Sequence, residues 1–176
     1  MSTWDAPVLG NLITITSASP ESVGAPVNIG TLASATWPTA NKAIFMPFRV
    51  FHSQGITVLV LAWMNGATAT GNVDMGIYDA AGTKLVSTGS TAQSGTSTIQ
   101  QVDVTDTLLG PGLYYFALAL SSTSGTTIRS SILLLSHKLL GQAEVTSALP
   151  LPATVTFATI TSAYLPLVQL SARTVV

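Results

Sequence analysis

The stretch from Val73 to Thr88, VDMGIYDAAGTKLVST, is the clearest indication of secondary structure in this sequence. In its first half Val73, Met75 and Ile77 alternate with smaller or polar residues, which is the period of a β-strand with one face turned to a core. Asp79 and Gly82 then supply turn residues, and the chain returns through a second β-type segment. The stretch therefore predicts a β-hairpin whose first strand directs those three apolar residues inward.

Short segments with the same character recur on both sides of this hairpin. Ile56 to Trp63 is apolar on both faces and predicts a central strand. Ile44 to Phe51 also predicts a strand, and Pro47 within it favours an edge position or a bulge. The remaining strand candidates are residues 12–16, 99–105, 113–120, 128–135, 155–160 and 165–170. About nine short strands separated by Gly/Pro turns predict an all-β, antiparallel β-sandwich, jelly-roll-like, with eight to nine strands.

The chain of 176 residues predicts a single domain spanning residues 1–176. Two proline-containing stretches, at 17–41 and 141–152, interrupt the strand pattern. Proline fixes φ and removes a backbone donor, so both are expected to be irregular, with at most a brief edge strand in the first. We interpret them as arm-like segments that lie over a neighbouring subunit.

Charge is scarce throughout the chain. Asp, Glu, Lys and Arg make up 7% of the residues, against about 25% in ordinary soluble domains, and the net charge is −1. Such a surface has no field to attract nucleic acid or anionic lipid, so neither is an expected partner. Few charges also leave self-association unopposed, which predicts a homo-oligomer. The first residues do not have the pattern of a signal peptide, no segment predicts a membrane span, and cysteine is absent.

Catalytic motifs are not found. The sequence has no Gly-x-Ser-x-Gly elbow, and its two histidines, His52 and His137, are best explained as strand-end or surface residues. The aspartates at 74, 79, 103 and 106 could pair as acid and base, but turn formation and outward strand positions explain them better. The sequence has no Asp-x-Asp-x-Asp-Gly loop, so it does not predict a calcium site. We therefore predict no enzyme activity, no cofactor and no metal site.

Ligand contact is the remaining functional option that residue types suggest. Trp37, Trp63 and Tyr78 lie near strand ends or loops, where an aromatic ring can stack on a sugar or contact a partner. Asn65 lies two positions after Trp63, and Asp79 directly follows Tyr78, so both are polar candidates for the same contact. The alternative, that the rings pack in the core or at a subunit contact, stays open at this point.

Five segments carry a resemblance to known proteins: Lys42–Arg49, Ala62–Gly66, Gly71–Asp79 with Gly82, Leu109–Tyr115 and the tail Phe157–Ile160. In these residues the chain resembles a family of small virion structural proteins of tailed phages. The resemblance implies a jelly-roll or carbohydrate-module-like fold and a role as head decoration, head fibre or tail-associated protein. It also implies symmetric self-assembly, for which we expect a trimer, and it brings no catalytic residue.

Two functional hypotheses follow. The first is a structural component of a phage particle, made in the host cytoplasm and docked on virion proteins such as the major capsid or a tail protein. Its docking elements would be the segments at 17–41 and 141–152. The second is a carbohydrate-binding adhesin module that contacts glycans through Trp63, Asn65, Tyr78 or Asp79.

Overall fold

The computed structural model describes residues 12–16, 32–130 and 138–174, the first of these as backbone alone. Predictions that concern residues 17–31, His137 and the part of the 128–135 strand beyond Ser130 lie outside the described residues.

The described residues form fourteen β-strands, more than the eight or nine that the sequence predicts, because several additional strands are only two to five residues long. They are β1 (Leu12–Thr16), β2 (Leu32–Thr36), β3 (Ala43–Val50), β4 (Ile56–Met64), β5 (Asn72–Asp79), β6 (Lys84–Ser87), β7 (Thr91–Ala92), β8 (Ile99–Leu109), β9 (Gly112–Leu120), β10 (Thr126–Ser130), β11 (Ala143–Val145), β12 (Ala158–Thr159), β13 (Leu165–Pro166) and β14 (Val168–Thr174).

The strands form three antiparallel sheets. The first sheet has the order β1-β14-β4-β8, and the second has the order β12-β11-β3-β9-β5-β6, with β7 also paired to β5. A small third sheet, β13-β10-β2, joins the end of the first one through a bridge between Asn65 and Thr127. We call the first two the four-stranded and the seven-stranded sheet. The all-β, antiparallel sandwich is thus confirmed.

One apolar cluster fills the space between the two large sheets. The seven-stranded sheet contributes alternate residues of β3, β5 and β9, and the four-stranded sheet contributes alternate residues of β4 and β14. Trp37 and Tyr164 close the cluster at the small sheet, with ring centroids 5.0 Å apart. The members that are fully buried and largest are Trp37, Trp63, Phe48, Phe116, Ile44, Met46, Ile56, Leu61 and Met75. Burial of each such side chain contributes about 1.5–3 kcal/mol.

The predicted hairpin is confirmed. β5 pairs with β6, the N–H of Asp79 donates to the carbonyl of Thr83 at 3.0 Å, and Gly82 has a φ of 87°, which favours glycine. The predicted central strand is confirmed as well, since β4 lies between β14 and β8. Pro47 belongs to β3 beyond Phe45, where the pairing with β11 ends, so among the described strands it pairs with β9 alone.

The chain crosses repeatedly from one sheet to the other. β3 is followed by β4, β4 by β5, and β8 by β9, and each of these steps changes sheet. The connection from β8 to β9 is therefore an arch between sheets, because β8 and β9 do not pair with each other. This alternation between two facing sheets is the jelly-roll-like feature of the sandwich.

Both stretches interpreted as arms are, where they are described, packed on the domain itself. Residues 32–36 form β2, and Trp37 after it is 1% exposed. Residues 141–152 include β11 and continue over the outer face of the seven-stranded sheet, where Ala148 and Leu151 are buried. The reason is that this outer face is itself apolar, so a cover from the same chain removes it from water. We call residues 141–159, which run from before β11 to the end of β12, the strap.

Candidate functional site

The aromatic residues singled out in the sequence are structural. Trp37 and Trp63 are each 1% exposed and Tyr78 is 0% exposed, so none of the three offers a ring face to a sugar. Each ring also places its polar atom on a partner within the chain. Trp37 Nε1 donates to the carbonyl of Lys42 at 2.9 Å, and Tyr78 Oη donates to the carbonyl of Pro152 at 2.6 Å. The alternative, core packing, describes their placement.

Asn65 is the centre of a buried amide network. Its Oδ1 accepts from Trp63 Nε1 and from Gln93 Nε2, both at 2.9 Å. Its Nδ2 donates to the carbonyl of Ser94 at 2.6 Å and to Gln100 Oε1 at 3.0 Å. With Asn65 0% exposed, this network ties the end of β4 to the loop before β8. Its hydrogen-bonding capacity is used within the protein, so it holds loops rather than a ligand.

Asp79 has the role that the turn chemistry predicts. Its Oδ1 accepts from the backbone N–H groups of Ala81 and Thr83, at 2.9 and 2.8 Å. The carboxylate therefore fixes the β5–β6 turn. Among the five residues proposed for ligand or partner contact, it is the one that is partly exposed.

Of the remaining acid–base candidates, Asp74 lies in the seven-stranded sheet, and Asp103 and Asp106 lie in the four-stranded sheet. Asp103 and Asp106 lie on the exposed side of β8, and Asp106 pairs with Arg173 at 2.9 Å. Asp74 is 0% exposed, beneath the strap. His52 is exposed in the loop between β3 and β4. Within the described part of the chain, no group of three metal-ligating side chains forms a metal site.

The outer face of the four-stranded sheet, which we call the open face, carries exposed apolar side chains. Cross-strand register defines its rows. Met64 lies opposite Ile99, Val60 lies between Asp103 and Ser171, and Thr57 lies between Leu108 and Arg173. The strap covers the corresponding face of the other large sheet, whereas several side chains of the open face are exposed.

The open face is poor in charge and carries large apolar side chains at both ends. β4, β8 and β14 together contain three charged residues, Asp103, Asp106 and Arg173, and the last two form an exposed ion pair. Ile99 is 56% exposed at one end and Leu108 is 62% exposed at the other. A surface of this kind loses little solvation when another protein covers it.

A small hollow lies beside Ile99. It has a volume of about 20 Å³, and Met64, Leu167 and Gln169 are among the residues that line it. A space of this size holds about one water molecule or the tip of one side chain, so it suits a contact between surfaces better than a small-molecule ligand.

Sequence reasoning missed this surface, although one signal pointed to it. Ile99 shares its strand face with Gln101 and Asp103, whereas the inward face of β8 carries Val102 and Val104. An isoleucine in phase with the polar face of a half-buried strand is an exposed apolar side chain. The interruption of the pattern between Asp103 and Leu108 comes from a register shift in the β4–β8 pairing, which the sequence does not announce.

Comparisons with known proteins identify no family. No protein-family model and no curated protein matches the chain. Among solved structures, the enzymatically active domain of tailspike protein 4 from bacteriophage CBA120 has a TM-score of 0.36 and 15% identity over 68% of this chain and 18% of its own. The VP2 subviral particle of infectious bursal disease virus has a TM-score of 0.37 and 12% identity over 92% of this chain and 40% of its own. The structure of the Gx strain of the same virus has a TM-score of 0.34 and 10% identity over 94% of this chain and 37% of its own.

These solved structures are all viral, and this chain spans less than half of the length of each. Their TM-scores are below 0.5, so these structures indicate no role for this chain. Within the described ranges, no helix is long and apolar enough to cross a membrane.

Proposed function

We propose that this protein is a structural component of a phage particle, a capsid decoration, head fibre or tail-associated protein, which docks its open face on another virion protein. The observation that carries the proposal is the open face itself, with Ile99 and Leu108 exposed at its ends and three charged residues on β4, β8 and β14 together. The residue-level resemblance of Asn41–Leu120 to virion structural proteins gives the proposal its setting.

The physical chemistry of the open face favours a permanent protein contact. Removing apolar surface from water stabilises a complex by roughly 25 cal/mol per Å², and side chains such as Ile99 and Leu108 supply that surface. Few charges on the same face mean a small desolvation cost when it is covered. Acid–base catalysis by a carboxylate pair is less favoured, because the carboxylates of the described residues are hydrogen-bonded within the fold or lie on this exposed face.

The proposal includes self-association, because a domain with 7% charged residues has little electrostatic repulsion between copies. Light scattering on the purified protein measures this part separately. A stable monomer at micromolar concentration would remove self-association and leave docking on other virion proteins.

The test is incorporation into particles. Phage are grown with the wild-type protein, with Ile99→Arg, or with the matched control Leu139→Arg, which alters a leucine that is 79% exposed and lies outside the open face. We expect wild type and control to sediment with purified particles, and Ile99→Arg to be reduced at least about tenfold, since an unpaired charge in an interface costs more than 1.4 kcal/mol.

Two outcomes contradict the proposal in different ways. If the wild-type protein stays in the lysate and is never found on particles, the virion role is wrong. If Ile99→Arg is incorporated as well as the control, the virion role stands and the open face is not the docking surface. Circular dichroism of both variants shows whether each has kept its fold.

A further inference from the structure

The strap crosses the whole outer face of the seven-stranded sheet. It starts and ends at one edge, where β11 pairs with both β3 and β12. Its middle reaches the opposite edge, where the N–H of Val155 donates to the carbonyl of Gly82 at 2.8 Å and Thr154 forms a bridge with Thr83. Between these points Phe157 packs against Phe45, with ring centroids 5.1 Å apart.

The sheet is shaped to receive the strap. A Cβ added to Gly76 would lie 3.0 Å from Leu151 Cδ1, and one added to Gly82 would lie 2.3 Å from the carbonyl oxygen of Val155. Small residues on the same face, Ala117 and Ala119, belong to the cluster that the strap covers. The close approach of the strap therefore depends on residues that leave room for it.

A buried ion pair joins the strap to the residue that precedes β3. Lys42 Nζ lies 3.0 Å from Glu144 Oε1, and both side chains are 8% exposed. Thr161 Oγ1 donates to the same carboxylate oxygen at 2.6 Å, and Lys42 also donates to Ser162 Oγ at 3.1 Å. Glu144 Oε2 is buried and has no hydrogen-bond partner among the described residues. Removing the cation would leave a buried, uncompensated carboxylate.

A second polar contact holds the middle of the strap. The N–H of Leu151 donates to Asp74 Oδ2 at 3.0 Å, and its carbonyl accepts from Lys84 Nζ at 2.6 Å. The next carbonyl, that of Pro152, accepts from Tyr78 Oη. Three side chains of the β5–β6 hairpin thus form hydrogen bonds with the backbone of two consecutive strap residues, Leu151 and Pro152.

We propose that the strap is a latched cover that opens as one unit, while the four-stranded sheet and the part of the seven-stranded sheet from β3 to β6 stay paired. Lifting it breaks the Lys42–Glu144 pair, the contacts of Leu151 and Pro152, and the short pairing of β11 with β3. The ladders β3–β9 and β9–β5 below it do not involve the strap and remain intact. The strap is joined to the sheet by short pairings, single backbone hydrogen bonds and side-chain contacts, whereas the strands below it form continuous ladders. Units of a fold that are joined in this way can open at a lower free energy than the whole domain.

Opening uncovers a largely apolar surface. It contains Phe45, Tyr78 and Tyr115 as aromatic members, with Ala117 and Ala119 between them. Buried ion pairs are weak contributors to stability and are attested as devices that fix one arrangement among several. The Lys42–Glu144 latch therefore sets whether this surface is covered or exposed.

Hydrogen exchange followed by mass spectrometry on the full chain tests the latch. The reporter amides are Ala148, bonded to the carbonyl of Asn41 at 2.6 Å, and Leu151. In wild type we expect them to exchange faster than the amides of β4. In Lys42→Met they should exchange at least about tenfold faster than in wild type, with β4 unchanged. The double variant Lys42→Met/Glu144→Gln should recover part of the protection.

A reversible lock gives a second readout that does not depend on Lys42→Met folding. The chain has no cysteine, and Thr83 and Thr154 are exposed bridge partners, so the pair Thr83→Cys/Thr154→Cys can form a disulfide across the far end of the strap. Oxidation should slow exchange at Ala148 and Leu151, and reduction should restore it. The proposal is overturned if these amides exchange together with those of β4 in wild type, or if oxidation leaves them unchanged.

Discussion

Asp74 and Leu151 are 77 positions apart in the chain, and the N–H of Leu151 donates a hydrogen bond to Asp74 Oδ2 at 3.0 Å. Asp74 is 0% exposed because Leu151 and its neighbours in the strap lie over it. Burial raises the pKa of Asp74, against the hydrogen bonds from Leu151 and Thr88 and the attraction of Lys84, which lower it. The contact fastens the strap, but the charged form of Asp74 is disfavoured there.

The first prediction concerns Asp74→Asn. Since the pKa of Asp74 is higher in the folded than in the unfolded protein, its favourable contribution is fully present below its unfolded pKa of about 3.9 and is lost as pH rises through the folded value. At pH 7 the amide avoids the cost of a buried charge and still accepts from Leu151. We expect the free energy of unfolding in urea to rise by on the order of 1 kcal/mol at pH 7, and this gain to shrink toward pH 4.

The control for that prediction is Asp74→Ala, which removes the acceptor as well as the charge. It leaves the Leu151 N–H unpaired under the strap and should lower the free energy of unfolding by about 1–3 kcal/mol. Equal losses in Asp74→Asn and Asp74→Ala would show that the charge itself, rather than the acceptor, holds the strap.

The second prediction is a pH dependence of opposite sign at Glu144. Burial alone would raise the pKa of Glu144, but hydrogen bonds from Thr161 and Lys42 outweigh it and hold the pKa below its ordinary value. The stabilisation is therefore present above the unfolded pKa of about 4.3 and is lost as pH falls through the folded value. Glu144→Gln should cost about 3–5 kcal/mol at pH 7, because Lys42 stays buried without its anion, and the difference from wild type should shrink in acid. A difference that is constant between pH 7 and pH 3 would contradict this.

The third prediction uses glycine. Gly76→Ala places a Cβ 2.9 Å from the carbonyl oxygen of Val86 and 3.0 Å from Leu151 Cδ1, so the strap or β6 has to shift. We expect a loss of about 1–3 kcal/mol in thermal or urea unfolding. Gly110→Ala is the matched control, since nothing lies within 4 Å of its added Cβ, and it should change stability by less than about 0.5 kcal/mol. Similar losses in both variants would mean that contact with the strap is not the cause.

The local sequence pattern was sufficient to predict the elements whose structure depends on residues that are close in the sequence. The alternation of Val73, Met75 and Ile77 and the turn at Asp79–Gly82 specify β5 and its hairpin, and the structure has both. The same pattern placed Asp74 on the outer side of its strand, where it does lie, but outer does not mean exposed here. The strap that buries it comes from residues 70–80 positions later, and period-2 alternation carries no information about such a cover.

The candidate ligand residues also show that local sequence does not reveal burial by distant parts of the chain. Trp63 and Asn65 lie at the end of a strand, where sequence position alone suggests exposure. Asn65 is hydrogen-bonded to Gln93 and Ser94 from the Ser/Thr/Gly-rich stretch before β8, and to Gln100 of β8 itself. Polar residues of a loop are buried in an amide network only where other polar groups meet them. Here the pairing of β4 with β8 brings those groups together, and the sequence does not specify that pairing.

The last prediction separates a structural Asn65 from a ligand-binding one. Asn65→Ala removes the shared acceptor of Trp63 Nε1 and Gln93 Nε2 in a site that is 0% exposed. Unsatisfied buried donors cost about 1–3 kcal/mol each, so we expect a loss of about 2–4 kcal/mol in urea unfolding and a changed Trp fluorescence. Asn72→Ala is the control, because that side chain is exposed and donates one bond, to Ser90 Oγ at 3.2 Å; it should cost less than about 0.5 kcal/mol. If Asn65→Ala is as stable as the control but weakens binding to glycans or to virion proteins, then Asn65 is a contact residue and the loop around it opens in solution.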